Sequence, residues 1–332
     1  MKCKICKSNQ VEKLKTFIPY YDKEWSFEIF ECQECGTRFA LRDESINYHE
    51  ELHSNQDSPY LDHYIMAEKI KALLEKNELK KCEKILRNKS PVVVEVLEYI
   101  SSQDKNISIL EIGCSTGYIT AYLQKIGYKN TLGIDISSYA IDYAKSTFGN
   151  FYALKENNMK KYDVIFHTGV IGCVDNPIDF LNYYLDLLTN GGIMFFNAPN
   201  VASVKETGEL WVSTPPPDLI YLFDKYVFFK KLDNKNYSIK VRTMFTPLNI
   251  LRKNINKYKN KKNNIYPRSF YKKNNFYKKN KKFVNSKNNL IKHIFKIIIS
   301  FIIRILVKFN ILKAFSDEYG IIIKIKKINN KK

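Results

Sequence analysis

Four cysteines in two tight pairs open the chain, Cys3-x-x-Cys6 and Cys32-x-x-Cys35-Gly36. A CxxC turn brings two thiolates to one side of a knuckle, and two knuckles together satisfy the tetrahedral demand of one Zn²⁺. Gly36 lets the backbone curl around the second pair. Val11–Tyr21 and Trp25–Glu31 read as the intervening strands, so residues 1–41 are expected to form a zinc ribbon whose metal is structural. Seven cysteines, with no apolar run behind Met1-Lys2-Cys3-Lys4, point to a reducing, cytoplasmic setting in which a disulfide is disfavoured. A redox CxxC is disfavoured too, since neither pair opens a helix after a strand. Cys82, Cys114 and Cys173 stand alone and are expected to pack.

A second constellation is the run Ile109-Leu110-Glu111-Ile112-Gly113-Cys114-Ser115-Thr116-Gly117. It reads as a buried strand that ends in a glycine turn and opens a helix, with Gly113 permitting the turn and Gly117 permitting close approach of a ligand. Free backbone N–H groups at such a helix start favour anionic or polar ligand groups. Twenty-two residues after Gly113 a second strand ends at Asp135, a spacing suited to accepting hydrogen bonds from ribose hydroxyls. The glycines do not follow GxGxxG, which argues against NAD or FAD.

The elements that must position these residues emerge from the apolar pattern. Pro91–Ile100 with Ser90 as its N-cap, Tyr118–Ile126, Ser137–Phe148, and Asn176–Leu188 ended by Asn190-Gly191-Gly192 read as helices. They alternate with strands at Ile107–Ile112, Thr131–Asp135, Phe151–Leu154, Tyr162–His167 and Ile193–Asn197. Such alternation predicts an α/β fold, a doubly wound and mostly parallel sheet of seven strands, completed by Tyr237–Met244 and Gly320–Ile328. The expected organisation is a ribbon over 1–41, a linker and helical lead-in over 42–88, a core over 89–250, a basic Lys/Asn-rich insertion over 251–315, and a last strand and tail over 316–332. The net charge of +20 belongs to that insertion and the last strand with its tail. Residues 1–251 carry 30 basic and 32 acidic side chains, whereas residues 252–332 carry 24 and 2. The body is neutral, so charge alone does not make it a nucleic-acid protein.

Glu111-Ile112-Gly113-x-x-x-Gly117, Gly133-Ile134-Asp135-Ile136-Ser137, Tyr162-Asp163-Val164-Ile165 and Asp175-Asn176-Pro177-x-x-Phe180-Leu181 occur in order, with Leu187-Leu188-x-x-Gly191-Gly192 and Asn197-Ala198-Pro199-Asn200 after them. Together they resemble the class I S-adenosylmethionine-dependent methyltransferases, in particular bacterial small-molecule and sugar methyltransferases, some of which carry an N-terminal zinc-ribbon module. The resemblance covers residues 88–245 and the last strand. It implies that Glu111, Gly113, Cys114, Ser115 and Gly117 line the methionine and ribose portion of S-adenosylmethionine, that Asp135 holds the ribose diol and that Ile136 packs on the adenine. His167 and Thr168 would face the sulfonium and the acceptor. Three positions depart from the pattern: Ser115 replaces a frequent glycine, Gly172-Cys173 replaces a usual Glu-His, and Lys155-Glu156-Asn157-Asn158 lacks the usual acidic adenine contact.

Two residues are candidates for taking a proton from an acceptor: His167 at a strand end, with a neutral imidazole suited to pH 7, and Asp218 beyond Ser213-Thr214-Pro215-Pro216-Pro217. A strand-end histidine bonded to backbone and a rigid polyproline connector are the structural alternatives. Tyr60, His63 and Tyr64 are read either as a lid or as helix packing. The acceptor is expected to be a small molecule or saccharide, with a cell-surface glycan precursor as one form. An RNA methyltransferase that grips through ribbon and tail, and a non-catalytic cofactor-binding protein, remain alternatives. In Ile291–Leu312, Lys292, Lys296, Arg304 and Lys308 lie on one stripe of an apolar helix. That stripe suits either an anionic membrane surface at the inner face or packing on the sheet domain.

Overall fold

The computed structural model describes residues 1–18, 25–42, 48–54, 60–156, 160–206, 208–232, 235–244, 299, 301–303, 305 and 320–328. The expected basic insertion and its amphipathic helix lie, but for a few positions, outside the described residues.

The cysteine region forms β1 (Val11–Phe17), β2 (Phe27–Cys32) and β3 (Arg38–Ala40), a short antiparallel meander. The stretch read as loop and helix holds three helices, α1 (Tyr48–Ser54), α2 (Leu61–Glu75) and α3 (Leu79–Lys89). The alternating region comes next with α4 (Pro91–Ile100), β4 (Ile109–Ile112), α5 (Tyr118–Lys125), β5 (Thr131–Ile134), α6 (Ser138–Phe148), β6 (Tyr152–Ala153), β7 (Tyr162–His167), α7 (Pro177–Asp186) and β8 (Leu188–Ala198). It ends with α8 (Val201–Lys205), β9 (Tyr221–Leu222), α9 (Val227–Lys231), β10 (Tyr237–Thr243) and β11 (Ile321–Lys327).

Seven strands make one sheet in the order β10-β11-β8-β7-β4-β5-β6. β4, β5, β6, β7 and β8 are parallel, whereas β11 runs antiparallel to both β8 and β10. The doubly wound reading holds. The central strands are apolar throughout because helices cover both faces: every residue of β4 is buried. Helix starts obey local chemistry. Ser90 caps α4 by accepting from the Val92 N–H at 3.2 Å with Pro91 at the first turn, and Ser137 caps α6 through Ala140 N–H at 3.2 Å.

One expectation is corrected. Asn190-Gly191-Gly192 does not stop a helix that runs to Leu188. α7 ends at Asp186, and Leu188 already pairs with Tyr162. The register then jumps to Val164 opposite Ile193, so the glycines form a bulge inside β8, with Gly191 at φ 76°. The sheet of the cysteine region also takes in a strand from far along the chain. β9, beyond the polyproline segment, pairs with β3 as its fourth strand, Arg38 opposite Leu222 and Phe39 opposite Tyr221.

β11 is integral to the sheet although a long insertion precedes it, because Ile321, Ile323 and Ile325 are fully buried. Ile323→Ala should therefore cost about 2–5 kcal/mol in urea unfolding. Lys326→Ala, at an exposed position of the same strand, should change stability by less than about 0.5 kcal/mol.

Candidate functional site

Strand order reverses between β4 and β7, and the carboxyl ends of the parallel strands there open into a cavity of about 810 Å³. One wall is the β4–α5 loop. Gly113 has φ 66°, and a Cβ there would lie 2.3 Å from Val170 Cγ2. Ser115, where a glycine is common in the resembled family, also adopts a left-handed φ of 50°, and its hydroxyl is buried with no hydrogen-bond partner. Its N–H donates to Asp135 Oδ2 at 2.8 Å, and the Ser137 N–H donates to Oδ1 at 3.0 Å. Burial raises the Asp135 carboxyl above its ordinary range, opposed by these two N–H groups.

Gly113, Ser115, Asp135, Ile136 and Thr168 all line the cavity, with Ile136 63% exposed at its rim. Glu156 lines it too and accepts from the Tyr183 and Tyr184 hydroxyls, so the segment after β6 does bring an acidic group to this end. Glu111, Cys114 and Gly117 stand behind the wall. Glu111 accepts from Thr120 Oγ1 at 2.6 Å, and Cys114 is packed against Ile141, Ala144 and Tyr152. The reason for Gly117 differs from the expected one: with φ 78°, a Cβ would come within 2.5 Å of the Tyr152 ring rather than of a ligand.

The opposite end is built from parts far apart in sequence. The lead-in helices α1 and α2 reach over the sheet and are tied there, as Glu50 accepts from Ser138 Oγ at 2.8 Å and Thr116 Oγ1 donates to the His63 carbonyl at 3.1 Å. Tyr60 donates its hydroxyl to Asp218 Oδ1 at 2.6 Å, and His49 Nδ1 lies 3.1 Å from the same tyrosine oxygen. Cys173 is no mere packing residue: its thiol contacts the Gly169 carbonyl at 3.3 Å and Asp218 Oδ1 at 3.8 Å, and it lines the cavity. Burial raises the Asp218 carboxyl and the Cys173 thiol, and it lowers His49. Burial likewise lowers His63 to about 4 and His53 to about 3, so these imidazoles are neutral at pH 7.

His167 is not brought to the cavity. It is fully buried, stacked on Phe196 at 4.9 Å with Phe180 edge-on at 5.7 Å, and both ring nitrogens lack a hydrogen-bond partner. Burial lowers it to about 3. Arg42 and His49 were missed in the sequence. The pair His49-x-x-x-His53 on one helical face is the visible signal, obscured by the polar residues that surround it in the linker.

The four N-terminal cysteines converge, with all four sulfurs within 4.8 Å of one another, Cys3 to Cys35 at 3.8 Å and Cys6 to Cys32 at 3.4 Å. Tetrahedral Zn–S bonds of about 2.3 Å imply sulfur separations of about 3.8 Å, so the residues fit one such ion.

The family model described as "Methyltransferase domain" matches residues 62–230. The chain is 29% identical over 152 residues to malonyl-acyl carrier protein O-methyltransferase 1 of Ilyobacter polytropus, covering 42% of this chain and 56% of that protein. It is 25% identical over 118 residues to a mitochondrial ubiquinone biosynthesis O-methyltransferase of Dictyostelium discoideum, covering 29% of this chain and 36% of that protein. It thus spans roughly a third to a half of these curated relatives. Among solved structures, the plantazolicin methyltransferase BpumL in complex with SAH superposes with a TM-score of 0.40 at 16% identity, over 80% of this chain and 99% of that one.

Glu111, inside the matched span, offers a test of the wall behind the loop. Burial raises its carboxyl from 4.5 to about 8, opposed by the Thr120 hydroxyl and N–H. Between those values the native state keeps a proton that the unfolded chain releases. Stability should therefore fall as pH rises, by up to about 1.4 kcal/mol per pH unit. Glu111→Gln removes that slope, so urea unfolding at pH 5 and pH 8 should show the variant gaining on wild type at the higher pH. Parallel slopes would refute a buried, protonated Glu111.

Proposed function

The chain belongs to the methyltransferase-domain family, and from that premise we propose that it transfers a methyl group from S-adenosylmethionine to a hydroxyl of a small molecule or saccharide. The observation that carries this reading is the juxtaposition of the left-handed Gly113–Ser115 turn with the Asp135 carboxylate on one wall of the cavity. The residues present fit the cofactor. Each Asp135 oxygen keeps acceptor capacity for a ribose hydroxyl beyond its single backbone bond, and the buried Ser115 hydroxyl has no hydrogen-bond partner of its own. Ile136 and Leu154 present apolar surface to an adenine.

S-adenosylmethionine supplies an electrophilic methyl on a sulfonium leaving group, so the protein's work is alignment and exclusion of water. The helical lead-in serves the second purpose by roofing the cavity with His49, Tyr60 and His63. An acceptor hydroxyl must also lose a proton, and we assign its receipt to Asp218, a reading supported by the Tyr60 hydroxyl bonded to that carboxylate on the cavity wall. The relatives, both O-methyltransferases by name, support an oxygen acceptor. The four cysteines hold one zinc ion with a structural role.

Calorimetry of S-adenosylmethionine with wild type should show binding, and Asp135→Ala should weaken it at least about tenfold through loss of charge-assisted bonds to the ribose. Absence of binding by wild type, or equal affinity in the variant, overturns the assignment. A cofactor-consumption screen over nucleotide sugars and hydroxylated small molecules then identifies the acceptor. With it, Asp218→Asn should lower kcat by about 100-fold or more at unchanged cofactor affinity.

A further inference from the structure

We infer that the four-cysteine sheet is a positioning device for the acceptor end of the cavity, and that metal held by the cysteines fixes the segment carrying Asp218 while leaving the cofactor end untouched. This rests on the methyltransferase reading of the site and extends it to a part of the chain that lines almost none of the cavity.

The connection is continuous from thiol to carboxylate. Cys32 and Cys35 close their knuckle through Gly36 N–H to the Cys32 carbonyl at 2.9 Å, and Cys32 N–H donates to the Thr37 carbonyl at 2.9 Å. β3 begins at the next residue and pairs with β9, and Ala40 N–H extends the ladder to the Ile220 carbonyl at 2.9 Å, two residues from Asp218. The Arg38 guanidinium, 8% exposed, spans two elements. It meets Glu31 of β2 at 2.9 Å and donates to the Glu209 and Leu210 carbonyls at 2.9 and 2.8 Å. Among the described residues, Arg42, just beyond β3, is the ribbon-side residue on the cavity wall. It donates to Asp175 at 3.1 Å, to the Cys173 carbonyl at 2.8 Å and to the Pro217 carbonyl at 3.2 Å. Each bond ends on the acceptor side. The cofactor loop is held from elsewhere, by Cys114 N–H to the Ile134 carbonyl and Ser115 N–H to Asp135.

A meander this small has little apolar core of its own, so the orientation of β3 depends on the crosslink that the cysteines provide. Arg42 is accordingly a positioning residue: it holds Cys173 and the residue before Asp218 in place without itself touching the Tyr60–Asp218 pair.

The full chain carries two tryptophans, and Trp211, 4% exposed with its indole N–H donating to the Thr214 carbonyl at 3.1 Å, sits in the segment concerned. In Trp25→Phe protein it reports alone. Release of the metal by a chelator should shift Trp211 emission to the red and speed amide exchange across residues 209–223 by about tenfold or more. The dissociation constant for S-adenosylhomocysteine should change by less than about twofold, against the tenfold that 1.4 kcal/mol represents. Arg42→Gln with its metal retained should reproduce the faster exchange at the amides of residues 218–221, next to the Pro217 carbonyl that it releases, and no loss of cofactor affinity. Protein purified without metal at the cysteines overturns the inference. So does unchanged exchange across 209–223 after metal release, or cofactor affinity falling in step with it. Failure of the metal-loaded protein to bind S-adenosylhomocysteine would instead strike the methyltransferase reading, while the exchange and fluorescence arms still decide this one.

Discussion

The register between β4 and β5 is the constraint on which the cofactor end depends. Glu111 lies opposite Gly133 and Ile112 opposite Ile134, so the two parallel strands run out at the same level. The β4–α5 loop must then turn across the end of β5, which it does through Cys114 N–H to the Ile134 carbonyl and Ser115 N–H to Asp135. Two consecutive N–H groups can reach across only if the backbone bends into the left-handed region at Gly113 and Ser115. That conformation is free for glycine and strained for serine. A one-residue slip would send Asp135 to the other face of the sheet and leave the Ser115 amide facing nothing.

The switch point supplies the rest of the geometry. Because β7 pairs on the far side of β4, the chain leaving β7 at Thr168–Val170 closes over Gly113, whose missing Cβ leaves room for Val170. The cavity is thus shaped on one side by a steric absence and on the other by segments that come to it from outside the sheet. The first is local and the second is not, and they differ in how far the sequence discloses them.

Strands with continuous apolar runs, helices with Ser90 and Ser137 at their starts, and the Gly113-to-Asp135 spacing were legible, because each is encoded within a few residues. The four cysteines were legible for the same reason. The acceptor end was legible only as the separate candidates Asp218 and Tyr60, not as a cluster. Arg42, His49, Tyr60, Cys173 and Asp218 share no periodicity, and only the paths of α1, β9 and the segment between β8 and β9 bring them together. Asn190-Gly191-Gly192 misled because a glycine pair after a helix reads as its stop, whereas pairing of Leu188 with Tyr162 had already begun the strand. His167 misled through the two-residue alternation of a strand. Its position at the carboxyl end is that of a site residue, but its side chain lies on the face shared with Ile165, beneath Phe180 and Phe196.

Burial then decides which groups can handle a proton. His167 has no polar partner, so an imidazolium there would be uncompensated, and its basicity is depressed to about 3. A group that resists protonation that strongly cannot draw a proton from an alcohol at pH 7. Asp218 is buried as well, but burial acts on a carboxylate in the opposite sense and raises its proton affinity. It also has Tyr60 to share the charge, with His49 and Arg42 near enough to oppose the shift. The same desolvation that silences the histidine makes the carboxylate a better proton acceptor. Where Gly172-Cys173 departs from the Glu-His of the resembled family, the proposed proton acceptor is therefore this carboxylate. That assignment depends on Tyr60 from the lead-in and on the clamp by which Arg42 holds the Pro217 carbonyl beside Asp218.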